Sequence, residues 1–152
     1  MKLAEALILR ADYQKRIEQL KARILRNVLV QEGEEPAEQP AALIAESQQT
    51  YALLLDMVQR INRTNCNTAV AGHGSLADAI AERDNIRARA SLLRSVAEQA
   101  TVTMNRYSKA EVKFVSMLSV AEIQARADAL AVAYRELDAQ IQALNWTTEL
   151  LD

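Results

Sequence analysis

The sequence has few of the residues that form turns, cross-links and metal sites. Its 152 residues include three glycines, two prolines and one cysteine. So few turn-forming residues argue against a β-sandwich, with its many turns, and against a glycine-rich loop that would cradle a phosphate. Aromatic residues make up only 4% of the chain, so its apolar half consists mainly of Ala, Leu, Ile and Val. The large share of Ala and Leu favours packed helices.

Long apolar runs and a strong net charge are also absent. Glu5 and Arg10 interrupt the N-terminal apolar run too early for a secretory signal. No segment approaches the roughly 20 apolar residues of a membrane-spanning helix, and the net charge of −2 gives no support to nucleic-acid binding. The lone Cys66 cannot form an internal disulfide, which fits the cytoplasm. We therefore expect one cytoplasmic domain over residues 1–152, with no cofactor or metal and no membrane or nucleic-acid partner.

Apolar residues instead recur at intervals of three and four along four long segments, which is the spacing of amphipathic helices. The first segment covers about residues 3–30, and the second covers about 40–61. Ser75 opens the third, whose stripe reaches residue 107, and the fourth covers about 120–147. The sequence therefore predicts an all-α fold, with four long amphipathic helices in an antiparallel bundle or coiled-coil arrangement.

The apolar stripes differ in regularity. The fourth segment has an unbroken heptad series over about six turns, formed by Val120, Ile123, Ala127, Leu130, Tyr134, Leu137, Ile141 and Leu144. The predicted face of the second segment is broader and consists of Leu43, Ile44, Tyr51, Leu54, Leu55, Val58 and Ile61. The apolar faces of these helices are larger than the interior of one bundle can bury. They therefore predict a homo-oligomer, most simply a two-fold dimer.

Two stretches separate the first three segments. Residues 31–40 are acidic and contain Gly33, Pro36 and Pro40, so they predict a break after which the second helix packs antiparallel to the first. Residues 62–74 are rich in side chains that bond their own backbone and predict a loop.

Serine residues are predicted to begin the last two helices. Ser75 with Asp78, and Ser119 with Glu122, have the spacing of capping boxes. Between these helices, residues 111–116 include valine and phenylalanine, which favour strands, so a short extended segment is predicted there.

Cys66 and His73 carry the side chains that most often serve as nucleophile, base or zinc ligand. His73 lies close to Ser75, but a helix-capping role already accounts for that serine. Two ligands also fall short of the three or four that a zinc site needs. We expect both residues to be dispensable, and we predict no catalytic or metal-binding residues.

Two arginines, Arg10 and Arg83, interrupt otherwise apolar stripes. Each has a carboxylate close in sequence, Asp12 or Asp84. A guanidinium inside a bundle needs such partners, because an unpaired buried charge costs several kcal/mol. These arginines either fix the register of the helices or line a binding site, and the first interpretation is favoured.

If the helices alternate in direction, polar residues from four places meet at one end of the bundle. These residues are Arg10, Asp12, Asn62, Arg63, Thr64, Asn65, Arg83, Asp84, Asn145 and Trp146. They predict either an internally satisfied polar network, which is favoured, or a small pocket in which Arg10 or Arg83 holds an anionic group.

Several strings along the whole chain resemble the septicolysin-like family of bacterial proteins. They are LILRADYQKRIEQL at 7–20, VQEGEEPAEQP at 30–40, INRTN at 61–65, LADAIAERD at 76–84, EVKFV at 111–115 and IQALNWTTEL at 141–150. The resemblance implies a helical protein without an established activity, and it carries over no catalytic residues.

Three functions are compatible with these features. The favoured one is a non-enzymatic helical-bundle protein that self-associates as a structural or interaction module. The alternative is a binding protein or enzyme with a small polar pocket that accepts an anion. A distant third, suggested by the name of the family it resembles, is a membrane-active protein.

Overall fold

The computed structural model describes residues 1–102 and 113–152. Their elements, in chain order, are α1 (Leu3–Asn27), α2 (Pro40–Asn67), β1 (Ala69–Val70), β2 (Gly74–Ser75), α3 (Leu76–Ala100) and α4 (Val120–Thr147). The predicted all-α class with four long helices is confirmed. Within the described ranges, no helix is both long and apolar enough to cross a membrane.

The chain divides into two compact units. The first consists of Met1–Thr68 together with Ala143–Asp152, and the second consists of Ala69–Gln142. The last turn of α4 therefore belongs to the first unit and the rest of α4 to the second. One domain over residues 1–152 and a bundle of all four helices both stay predictions.

In the first unit, α1 and α2 form an antiparallel helical hairpin, as predicted. Arg16 donates to Glu46 and Arg23 donates to Glu38, so the end of α1 lies beside the start of α2. The break falls at the predicted place: Gly33 has a φ of +88°, and Pro40 occupies the first turn of α2. Asn27 secures the connection, because its side-chain oxygen accepts a hydrogen bond from the Glu38 N–H at 3.1 Å.

The face that α2 buries differs from the predicted one. The buried residues of α2 are Leu43, Ser47, Thr50, Met57, Ile61 and Thr64. Ile44, Tyr51 and Leu55, which were predicted to face the core, are exposed. The prediction was wrong for these three because it followed hydrophobicity alone. Thr50 and Thr64 can be buried instead, because the hydroxyl of each donates a hydrogen bond to the carbonyl one turn earlier.

The predicted loop at 62–74 is also wrong over its first half. α2 continues to Asn67, so Asn62–Asn65 are helical and Cys66 lies on the helix surface. Thr64, Asn67 and Thr68 each donate a side-chain hydrogen bond of 2.8 Å to the carbonyl four residues earlier. Residues that favour turns therefore stabilise the helix end instead of ending the helix earlier.

The second unit begins with a β-hairpin that the sequence did not predict. Ala69 pairs with Ser75 and Val70 with Gly74. Ser75 then caps α3, as predicted: its hydroxyl accepts from the Asp78 N–H at 3.2 Å, and the Asp78 carboxylate accepts from the Ser75 N–H at 3.0 Å. The Ser75 hydroxyl also donates to the Asp78 carboxylate at 2.6 Å, and this bond first, with that of the Ser75 N–H second, holds the pKa of Asp78 below its ordinary value. Gly74 has a φ of +78°, and a Cβ there would lie 3.0 Å from the Asp78 carboxylate, so only glycine fits this turn.

In the rest of the second unit, α3 and α4 run antiparallel. Their buried residues include Leu76, Ala79, Ala90 and Ala97 of α3 and Ile123, Ala127, Leu137 and Ile141 of α4. Ser119 accepts from the Glu122 N–H at 3.4 Å at the start of α4. Part of the predicted extended segment, 111–112, lies outside the described residues, and 113–116 form no strand.

Candidate functional site

The first unit brings its two chain ends together beside the end of α2. The Leu3 N–H donates to the Thr148 carbonyl at 2.9 Å, and the Leu150 N–H donates to the Met1 carbonyl at 2.8 Å. The Lys2 ammonium lies 2.6 Å from the Glu149 carboxylate. Lys2 and the N-terminal ammonium therefore hold the pKa of Glu149 below its ordinary value.

Thr64 anchors the C-terminal residues to α2. It is fully buried, and its hydroxyl donates to the Arg60 carbonyl and accepts from the Leu151 N–H at 3.0 Å. Arg60 adds hydrogen bonds to the Leu151 carbonyl and to the Asp152 carboxylate. Thr64 and Arg60 therefore form a polar network that joins the C-terminal residues to the end of α2.

The other predicted residues of the first unit differ in exposure. Asn145 is buried, Arg10 and Asn65 are half-buried, and Asp12, Asn62, Arg63 and Trp146 are exposed. Among the described residues, the buried Nε of Arg10 has no hydrogen-bond partner and Arg10 makes no ion pair. The expected pairing of Arg10 with Asp12 was therefore wrong, because α1 turns the Asp12 side chain towards solvent.

In the second unit, Arg83 joins α3 to α4. Its guanidinium donates to Asp84 at 2.8 Å and to Asp138 at 3.0 Å. Partial burial opposes the charged form, but these two carboxylates outweigh it and raise the pKa of Arg83. Asp84 was predicted as its partner, whereas Asp138 is supplied by the tertiary structure. Since this group and the Thr64 network lie in different units, the predicted convergence of all ten residues stays a prediction.

Cys66 and His73 lie in different elements, not in one loop. His73 occupies the turn between β1 and β2, and its Nδ1 lies 2.6 Å from the Glu82 carboxylate. In the part of the chain that the structure describes, no group of three or more His, Cys, Asp or Glu side chains is placed to hold a metal ion.

Two surfaces that the sequence did not predict present apolar or charged side chains that have no partner among the described residues. The first, the hairpin face, is formed by the exposed Leu25, Ile44, Tyr51 and Leu55 and the half-buried Leu7. The second, the arginine cleft, is an open cavity of about 400 Å³ between α3 and α4, lined by Arg89, Leu92, Leu93, Arg126, Ala129 and Leu130. The charged residues of the cleft, Arg89 and Arg126, lie beside the apolar stripes of their helices, and a helical wheel could have shown this position.

Comparisons with known proteins give a family but not a function. A crystal structure of a functionally unknown conserved protein from Corynebacterium diphtheriae matches with a TM-score of 0.93 and 41% identity over 99% of each chain. No curated protein matches the chain significantly. The model of a family of unknown function, DUF6847, matches residues 10–150.

These findings overturn the resemblance to the septicolysin-like family, since neither match belongs to it. Its strings come mostly from amphipathic helices, where Ala, Leu, Glu and Arg recur in many unrelated proteins. With nearly its whole length matched, the chain belongs to the DUF6847 family of proteins of unknown function.

Proposed function

We propose that this protein is a non-enzymatic, cytoplasmic interaction module that forms homodimers through the hairpin face. One observation carries the proposal. α2 buries Ser47 and Thr50 against α1 and leaves Ile44, Tyr51 and Leu55 open to solvent. A helix that exposes large apolar side chains to solvent while it buries hydroxyl groups is typical of a surface that is covered in an assembly.

The exposed residues of α2 form one stripe. An α-helix turns by about 100° per residue, so Ile44, Tyr51 and Leu55 share a direction about 100° from the buried stripe. Glu46 lies on the other side of the buried stripe, where it bonds to Arg16. α2 therefore has an apolar flank and a charged flank on opposite sides of its contact with α1.

α1 continues the same apolar surface. Leu7 and Leu25 are 18 residues apart, which is five full turns, so both point in one direction, away from the flank of Arg16. Because the pair Arg16–Glu46 fixes the antiparallel register, Leu7 lies level with Leu55. The apolar flanks of the two helices thus lie on the same side of the hairpin.

The apolar side chains of the hairpin face supply about half of the area that a dimer with a second copy of the chain would bury. Tyr51 is 51% exposed and offers roughly 100 Å², half the area of its side chain. With its four aliphatic neighbours the face offers on the order of 400 Å². A stable interface buries about 800 Å² per partner, and Gln14, Glu18 and Gln48, which lie between these apolar side chains on the same flank, supply further area. A two-fold axis would pair the face with itself, giving a four-helix arrangement with coiled-coil-like packing.

The charged groups of the described residues support a structural role more than a chemical one. Arg83 is held by Asp84 and Asp138, and His73 by Glu82. The exposed thiol of Cys66 fits a reducing compartment, which supports the cytoplasmic location.

Light scattering coupled to size exclusion tests the proposal. We expect a mass of twice 16.9 kDa at high micromolar concentration. The double variant Tyr51→Lys/Leu55→Lys should be monomeric, because it places charges at the centre of the face. The matched control is Leu53→Lys: Leu53 is 52% exposed, like Leu55 at 58%, but it lies seven residues after Glu46 on the charged flank.

A wild-type protein that stays monomeric at high micromolar concentration would refute self-association. A dimer that survives the double variant, or that Leu53→Lys disrupts equally, would refute the assignment of the interface to the hairpin face.

A further inference from the structure

The arginine cleft lies on one flank of the α3–α4 pair. Arg83 and Asp138 join the two helices on the opposite flank. Because the helices are antiparallel, the turn from Arg89 to Leu93 and the turn from Arg126 to Leu130 run in opposite directions. The leucines therefore lie between the two arginines, one guanidinium at each end of an apolar floor.

The two guanidinium groups are available to a ligand. Within residues 1–102 and 113–152, neither Arg89 nor Arg126 makes an ion pair, although Arg83 in the same helix pair makes two. Along α4, Glu122 lies one turn before Arg126 and beyond the end of the apolar floor, and Asp128 is two residues after Arg126, where a helix turns its side chain about 200° away. Leu92, at the rim, is 62% exposed, so the cleft also presents an unpartnered apolar surface.

We infer that this cleft binds a small dicarboxylate with an apolar body of about one ring or a short carbon chain. Each guanidinium offers paired N–H donors that match a carboxylate, while Leu92, Leu93 and Leu130 contact the apolar body. The floor spans one to two helical turns, roughly 5–9 Å, which limits the body to this size. The volume of about 400 Å³ is within the range of small-molecule sites.

The inference is independent of the proposed dimer, since the hairpin face belongs to the other unit. It goes beyond that proposal by assigning a binding activity to the second unit. The ligand contributes two charges and one apolar body, and a set of probes with the same ring can remove one charge or both.

NMR titration of the ¹⁵N-labelled full chain with three probes tests the inference. Terephthalate has both carboxylates, benzoate has one, and terephthalamide has the same ring without charge. We expect terephthalate to bind most tightly and to shift the amide signals of α3 and α4 around Leu93 and Leu130. Arg89→Gln and Arg126→Gln should each weaken terephthalate about five- to tenfold, because each removes one charged hydrogen-bonding partner.

Arg135→Gln is the matched control, since Arg135 is exposed on α4 but lies on the opposite flank from Arg126. It should leave the affinity for terephthalate unchanged. Equal binding of terephthalate and terephthalamide, equal weakening by Arg135→Gln, or no saturable binding of terephthalate would each overturn the inference.

Discussion

Replacing Thr64 with valine tests whether the polar network at the end of α2 stabilises the first unit. Valine has nearly the same shape as threonine, so Thr64→Val leaves no cavity in this fully buried site. It removes the hydroxyl that accepts the Leu151 N–H at 3.0 Å. The Arg60 carbonyl loses one donor, but it lies inside α2, where a backbone N–H can still reach it.

The expected cost follows from the group that loses its partner. A backbone N–H left without an acceptor costs about 1–3 kcal/mol, and the partial exposure of this bond places the value near 1–2 kcal/mol. For a chain of this length, 1 kcal/mol lowers the melting temperature by roughly 2–4 °C. We therefore expect Thr64→Val to melt about 3–6 °C below wild type.

Circular dichroism at 222 nm measures the melting temperature, and amide exchange measured by NMR locates the effect. The Leu151 N–H should exchange faster in Thr64→Val. Thr147→Val is the control, because the exposed Thr147 donates only to carbonyls within α4, and its cost should stay within about 0.5 kcal/mol. Equal melting temperatures for the two variants, with unchanged exchange at Leu151, would show that the Thr64 hydroxyl does not hold the C-terminal residues.

Two further predictions concern capping and pH. Ser75→Ala removes the cap of α3 and should lower the free energy of unfolding by about 1 kcal/mol, measured with urea. Ser91→Ala, at an exposed position inside α3, should leave it unchanged. Equal effects of the two variants would show that the cap contributes no stability. The pKa values of Glu38 and Glu149 are held below their ordinary value of 4.5, by Arg23 and by Lys2 with the N-terminal ammonium respectively. Their contribution to stability is therefore complete above that value and is lost as the pH falls through the lowered pKa values. Urea midpoints measured from about pH 6 to pH 3 should fall, and Glu149→Gln should show a shallower fall; an unchanged slope would contradict this assignment.

The sequence alone determined the helical class and most of the helix boundaries. The break at 31–40 follows from Gly33, which favours a helix end, and from Pro36 and Pro40, because a proline inside a helix removes a backbone hydrogen bond. The cap at Ser75 follows from a serine and an aspartate three residues apart. The heptad stripe of α4 fixed its buried residues, with Ile123, Ala127, Leu137 and Ile141 all in the core. Each of these features depends on contacts within one helix or one turn.

Only the tertiary structure decided which side of α2 faces α1, and with it the location of the hairpin face. The predicted face contained Ile44, Tyr51 and Leu55, whereas the stripe that α2 buries contains Ser47 and Thr50. Burial of the second depends on packing against α1, and Thr50 satisfies its hydroxyl within α2. For the same reason, only one of the two partners of Arg83 was predictable. Asp84 is its neighbour in sequence, but Asp138 is 55 residues away, and only the packing of α4 on α3 brings it within reach. The arginine cleft likewise exists only because two antiparallel helices place Arg89 and Arg126 at opposite ends of one apolar floor.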